Sequence, residues 1–354
     1  MDLKNQACDH VISCLGGNKT VLEPRRRPEP AAGELLIRMR VSGLCGTDLF
    51  KLSTNAAAPG TVLGHEVVGD VVSVGDGVDR FAAGERIVVP HHVACGQCLF
   101  CQRGNETMCD TFRENLMAPG GFADHIVIRP RATQMAAFTL PDDVSDEAGV
   151  FVEPGACVLR GIDRSGLQAG TTAVVFGAGS MGLLHLLVLK AAVPGITVIM
   201  VDPDESRLQF AAGLGATACA VPGETARAAT NSATNGAGAD AVFDTVGGSP
   251  VLQAALDLTR HGGSVMLFAH APPDAPAPVD LNNIFKYERR IIGTYSGALG
   301  EQKRIFDMIC DGLLDPSPLV THTMPLDDFA HGVELASNRC ALKVLFTPSR
   351  GSRQ

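Results

Sequence analysis

The sequence predicts an α/β chain of two domains, an antiparallel barrel-like sheet followed by a doubly wound parallel sheet. Three observations carry that expectation. From Glu34 to Ile128 the apolar runs are short and broken by glycine and proline, which suits strands and tight turns. Beyond Gly170, runs rich in Val and Ile alternate with stretches of helical spacing, the pattern of a parallel sheet with crossover helices. The length of 354 residues exceeds one average domain and accommodates two.

The elements follow in order. ELLIRMRVSGLCG, GHEVVGDVVSVGDGV and GERIVVP read as three strands between turn residues. TTAVVFG reads as a buried strand, and the segment after it places Met181, Leu184, Val188 and Ala191 on one helical face. TVIMVD is a second strand, followed by DESRLQFAAGLG, a helix ended by glycine. DAVFDTVG, GGSVMLF and RRIIGTYSG add three strands, and EQKRIFDMICDGLL is an amphipathic helix. The tail ending in LKVLF is too small to form a domain alone and is expected to return to the first one. APPDAPAP near residue 275 reads as a proline-rich loop.

Composition narrows the function classes. Apolar residues are 45% and charged residues 19% of the chain, values typical of globular proteins. A net charge of -9 argues against nucleic-acid or anionic-membrane partners, which need a basic surface. The basic cluster Arg25-Arg26-Arg27 lies near prolines and reads as a solvated turn. MDLKNQACDH shows no signal-peptide pattern, and no apolar run reaches the ~18 residues of a membrane span. Eleven cysteines, four of them between Cys95 and Cys109, point to metal binding in a reducing compartment, with the cytoplasm as the simplest location.

Gly177-Ala178-Gly179-Ser180-Met181-Gly182 is G-x-G-x-x-G between a strand and a helix. Gly177 is expected to make the tight turn, Gly179 to let a pyrophosphate approach, and Gly182 to let the helix sit close to the sheet. Asp202 ends the next strand, where a carboxylate binds the adenosine ribose and disfavours a 2′-phosphate, so NAD is expected. Arg207 is read either as stacking on or near the adenine or as a helix-surface cation.

Cys95-x2-Cys98-x2-Cys101-x7-Cys109 matches a closed four-thiolate zinc site, whose metal would supply the folding energy of a small lobe. A second set is dispersed: Cys45 in GLCGTD, His65 and Glu66 in GHE, and Glu153 in VEP. Thiolate, imidazole and carboxylate would give zinc three protein ligands and one open position. Taken singly, Cys45 also reads as a core residue, His65 as a turn histidine and Glu153 as a helix-start acid.

Together these motifs resemble the zinc-containing medium-chain dehydrogenase/reductase superfamily, in its order and spacing, from about Glu34 to Phe346; the sorbitol (polyol) and threonine dehydrogenase branch is the most similar. The resemblance implies a GroES-like β-barrel catalytic domain over 1–155 and 297–354, with a Rossmann NAD-binding domain over 156–296 and the active site where they meet. It implies a homodimer or homotetramer acting on a small-molecule alcohol. Cys45, His65 and Glu153 are then the catalytic-zinc shell, with Glu66 a fourth ligand or a carboxylate behind it. Lys343 is expected at the cofactor phosphate. The implied reaction oxidises a secondary alcohol to a ketone with NAD, and Thr47 accepts the hydroxyl proton; the alternative for Thr47 is a turn-capping hydroxyl.

Three features depart from the pattern: Phe50 stands where many relatives place a relay histidine, Gly155 where leucine is usual, and only two tyrosines and no tryptophan are present. Rival readings are a threonine-type or amino-alcohol dehydrogenase, a cyclitol or aminocyclitol dehydrogenase, a dehydrogenase for apolar secondary alcohols, and a catalytically inactive NAD-binding regulatory relative.

Overall fold

A hairpin opens the computed structural model, which describes residues 8–271 and 276–352. Residues 1–7 of the amino-terminal stretch and 272–275 of the proline-rich loop lie outside the described residues. Strands β1 (Cys8–Gly16) and β2 (Lys19–Arg26) pair antiparallel. The reading of Arg25-Arg26-Arg27 as a solvated turn is corrected here: Arg25 and Arg26 close β2, and Arg27 pairs with buried Asp9, Nη2 to Oδ1 at 3.0 Å. No residue of β2 is fully buried, so the strand lacks the apolar alternation by which a sequence announces one.

The next strands are β3 (Leu35–Gly43), β4 (Glu66–Val74), β5 (Arg86–Pro90), β6 (Met117–Ala118), β7 (His125–Ile128) and β8 (Phe138–Thr139). Then come β9 (Thr172–Phe176), β10 (Thr197–Val201), β11 (Ala218–Ala220), β12 (Ala239–Asp244), β13 (Thr259–Leu267) and β14 (Arg290–Gly293). The last two are β15 (Val320–Pro325) and β16 (Lys343–Thr347).

The chain divides into two units, one of residues 1–153 with 298–354 and the other of 154–297. The first holds an eight-stranded sheet in the order β15-β16-β3-β4-β5-β8, with β7 joined to both β3 and β6. Its strands pair antiparallel except β15 with β16. The tail returns to this unit because β16 pairs with the end of β3, Leu345 opposite Gly43. Ile37, Met39, Val67 and Ile87 are fully buried in its core beside a cluster of Phe122, Phe329 and Phe346.

The second unit is a six-stranded parallel sheet in the order β11-β10-β9-β12-β13-β14. Its strand order reverses between β9 and β12, the place where doubly wound sheets open a crevice for a ligand. Val174, Ile199, Val242 and Val265 are fully buried, as expected of strands covered on both faces. No helix among the described residues is long and apolar enough to cross a membrane.

Candidate metal and cofactor sites

Cys45 sits at the N-cap of the helix Gly46–Ser53. Asp48 in the first turn is fully buried, and its Oδ2 accepts the Cys45 N–H at 3.1 Å while Oδ1 accepts the Gly64 N–H at 3.3 Å. One carboxylate therefore ties the start of this helix to the turn before β4. Gly64 adopts φ +88°, and a Cβ there would lie 2.8 Å from the Phe122 nitrogen, so glycine is required. His65 and Glu66 follow, and the imidazole Nδ1 stands 3.5 Å from Asp48 Oδ1, an orienting contact typical of metal-ligating histidines. Burial opposes charge on His65, but Asp48 and Cys45 outweigh it and raise its pKa well above the usual value.

Glu66 begins β4 and pairs through Oε2 with the Lys343 ammonium at the start of β16. Both side chains are almost fully buried. Lys343 also donates to the Leu44 carbonyl at 3.3 Å and lies 5.5 Å from the centre of the Phe151 ring. Burial opposes its charge, yet Glu66 and Cys45 raise its pKa overall. Gly43 makes room for the pair, since a Cβ there would collide with Glu66 Oε2. The expected place of Lys343 at a cofactor phosphate is thus corrected: its charge is consumed by Glu66 inside the first unit.

The ligand atoms of Cys45, His65 and Glu66 lie within 4.8 Å of one another. Glu66 Oε1 is buried without a hydrogen-bond partner, a costly arrangement that a cation would relieve. Sulfur, nitrogen and oxygen donors of this kind suit zinc, so the residues fit the ion. Glu153 is not one of the three. It is 9% exposed, and its charge acts on Lys343. Thr47 is half-buried in the first turn of the helix, and its hydroxyl has no hydrogen-bond partner among the described residues. Phe50 lies one turn further on and is half-buried.

The four clustered cysteines also converge, with sulfurs within 4.8 Å of one another. Cys98 and Cys101 are 3.6 Å apart and Cys95 and Cys101 3.9 Å, close to the ~3.8 Å edge of a tetrahedron with ~2.3 Å zinc–sulfur bonds. All four are free thiols. Burial and neighbouring thiols push Cys101 up to about 12. Burial also works against the Cys109 thiolate, but N–H and hydroxyl groups of Cys95 and Thr111 bring it down to about 6. Phe112, fully buried, and Ala94 are the lobe's small apolar core.

In the second unit Gly177 adopts φ +97° at the end of β9. A Cβ there would meet Thr245 Oγ1 at 2.6 Å, and a Cβ on Gly182 would collide with the Gly177 carbonyl. Gly179 is the N-cap of the helix Ser180–Ala192, so Ser180 and Met181 form its first turn, where free N–H groups favour an anion. Arg207 Nη1 lies 3.6 Å from where a Gly179 Cβ would stand, which places a guanidinium over the glycine loop. Asp202 accepts the Ala178 N–H at 2.7 Å through Oδ2 and the Asp204 N–H at 2.9 Å through Oδ1, so it also fixes the loop that it was expected only to serve.

Sequence reasoning missed Asp48, the partner of Lys343, and a row of imidazoles. His91 lies 4.5 Å from His65 and 3.5 Å from His92 between ring centres. Burial lowers both, His92 to about 3. The adjacent histidines after GERIVVP, just before the cysteine lobe, were the available signal.

Residues 31–141 match the alcohol dehydrogenase GroES-like domain, and residues 180–310 match the zinc-binding dehydrogenase family. The sorbitol dehydrogenase of Bacillus subtilis strain 168 is 30% identical over 334 residues, 91% of this chain and 92% of the relative. The chain belongs to the zinc-containing medium-chain dehydrogenase/reductase superfamily. It is an oxidoreductase of the polyol and threonine dehydrogenase branch, acting on CH–OH groups with zinc and NAD as cofactors. An L-threonine 3-dehydrogenase of Cronobacter sakazakii is 30% identical over 330 residues, 90% of this chain and 94% of the relative. The solved structure of an alcohol dehydrogenase from Escherichia coli CFT073, complexed with NADH, matches 96% of this chain and 99% of its own with a TM-score of 0.86 and 26% identity.

Proposed function

We propose that the protein oxidises the secondary hydroxyl of a polyol or cyclitol to a ketone with NAD. The observation that carries this reading is the Cys45, His65 and Glu66 group with its unpartnered Glu66 oxygen. These three would hold the catalytic zinc and leave its fourth position to the substrate oxygen, with Glu153 close enough to exchange with it, and Cys95, Cys98, Cys101 and Cys109 would hold a structural one. When bound, zinc supplies Lewis acidity that lowers the pKa of the substrate hydroxyl, and NAD accepts the hydride.

The chain's own groups do the rest. Asp48 holds the His65 ring in orientation, and Lys343 balances the Glu66 charge. Thr47 accepts the substrate O–H through its hydroxyl oxygen and hands its own hydroxyl proton on to a cofactor ribose hydroxyl or water, because Phe50 has no group to carry it. Gly177, Gly179 and Gly182, with the first-turn N–H groups, cradle the pyrophosphate; Asp202 meets the adenosine ribose and Arg207 the adenine. The first unit thus serves as the GroES-like catalytic domain and the second as the Rossmann NAD-binding domain.

A threonine-type reading draws support from the Cronobacter sakazakii relative, and Phe50 favours apolar secondary alcohols. An NADH-formation screen over polyols, cyclitols, threonine and small secondary alcohols, with chelator and zinc re-addition, separates the three. Absence of zinc-dependent NADH with every class would favour an inactive regulatory relative and end the proposal. Thr47→Ala with full turnover would remove the proton role.

A homo-oligomer fits the surface of the second unit. Among the described residues strand β14 is an edge of its sheet, and Leu281 and Phe285 near it in sequence are 77% and 81% exposed, features that a second copy would cover. Light scattering of Phe285→Asp against the parent tests this, with loss of the oligomer expected.

A further inference from the structure

Beside the metal group the first unit carries a basic patch whose nitrogen atoms are not committed to any neighbour. Lys51 lies on the helix Gly46–Ser53, four residues after Thr47. The two side chains are therefore neighbours on one helical face, about 6 Å apart along its axis. Lys51 is half-buried, and its ammonium enters none of the described hydrogen bonds or ion pairs. Asp48, the acid three residues before it, is committed to the Cys45 and Gly64 N–H groups and to the His65 ring.

His91 and His92 follow β5 directly. The His91 ring stands 4.5 Å from His65 and 3.5 Å from His92 between centres. Both rings are half-buried, and Nδ1 of each is buried without a hydrogen-bond partner. Nε2 of neither ring enters a described hydrogen bond. Burial keeps both rings neutral, helped by the charges of His65 and Lys51, so Lys51 lies within electrostatic reach of the pair. A neutral imidazole retains one N–H in either tautomer, and orphaned donors are costly in a folded interior. None of the described hydrogen bonds or ion pairs brings a carboxylate to Lys51, His91 or His92.

We propose that the alcohol oxidised at this site carries an acidic group, a carboxylate or a phosphate ester, held by Lys51, His91 and His92 while its hydroxyl is presented to the metal group. The inference rests on the dehydrogenase reading above and narrows its substrate from a neutral polyol to a polyhydroxy acid or a polyol phosphate. An ammonium offers a point charge to either oxyanion, and charge-assisted hydrogen bonds are about twice as strong as neutral ones. One turn of helix separates Thr47 from Lys51, which leaves room for a short carbon chain between the reacting hydroxyl and the acid.

The test is calorimetric titration of the protein loaded with zinc and NADH, in which an alcohol binds without reacting. The probes are D-glucitol, D-gluconate and the terminal phosphate ester of D-glucitol, which share one carbon chain and differ at its end. An anionic probe is expected to bind about tenfold or more tightly than D-glucitol, the strength of one charge-assisted hydrogen bond. Which of the two does so tells carboxylate from phosphate. Lys51→Met and, as a second neutral variant, Lys51→Gln should bring that preference down towards parity. Lys19→Met, at an exposed lysine of β2, should leave it unchanged. Three results overturn the proposal: anionic probes that bind no better than D-glucitol or not at all, a preference that survives both Lys51 variants, or one lost equally in Lys19→Met. Zinc-dependent NADH formation from neutral polyols without such a preference would sink this inference and leave the dehydrogenase reading standing. Absence of zinc-dependent NADH with every class, charged ones included, ends both.

Discussion

Replacing Lys343 by Met gives the sharpest test of how the metal-site acid is held. Glu66 is 1% exposed, its Oε1 has no partner, and Lys343 is its one described hydrogen-bond partner. The substitution keeps the buried apolar stem and removes the ammonium, leaving a buried carboxylate without compensation. Breaking such a pair from one side is expected to destabilise by about 3–5 kcal/mol. Because the penalty belongs to the orphaned charge, Lys343→Met with Glu66→Met should cost less than the sum of the singles, with a coupling of about 1–3 kcal/mol. Urea unfolding of the four proteins, zinc-free and zinc-loaded, measures both quantities. In the loaded protein the single Lys343→Met should lose less, since a cation at Cys45 and His65 takes over part of the compensation. Singles that add to within about 0.5 kcal/mol would refute the reasoning, because independent sites add in that way.

Other outcomes follow from the same structure. Gly182→Val should abolish NADH binding in a fluorescence titration while leaving metal content unchanged, because its Cβ collides with the Gly177 carbonyl. Cys98→Ser should remove one of two zinc ions per chain by elemental analysis and lower the unfolding temperature, since the lobe's apolar core is little more than Phe112 and Ala94. His185 is fully buried against Phe243 and Phe268, and burial lowers its pKa from 6.5 to about 4. The unfolded chain then takes up the proton first as pH falls, so stability is intact above pH ~6.5 and declines toward pH ~4, by about 3 kcal/mol in all. Unfolding of His185→Leu across this window should lack that increment of acid sensitivity; an unchanged pH slope would contradict it.

What could be read from the chain was what short-range sterics and spacing determine. A turn at Gly177 and helix contact at Gly182 need residues without a Cβ, so the six-residue fingerprint announces itself. Cys95 to Cys109 lie close enough in sequence that their spacing nearly forces the sulfurs together. The buried strands of the second unit are written as runs of Val and Ile because water is excluded from both faces.

Tertiary pairing decided the rest. Cys45 and Lys343 are separated by almost the whole chain, and only the pairing of β16 with β3 and of β3 with β4 brings the ammonium to Glu66 beside the thiol. No local pattern could show that Lys343 pairs with a buried acid. The hairpin β1–β2 was equally silent, because β2 buries no residue fully and Arg27 finds Asp9 only once the strands have paired. Local geometry is encoded residue by residue, whereas a buried charge finds its partner only when the sheet closes, and the low dielectric of that closed interior makes the choice strict.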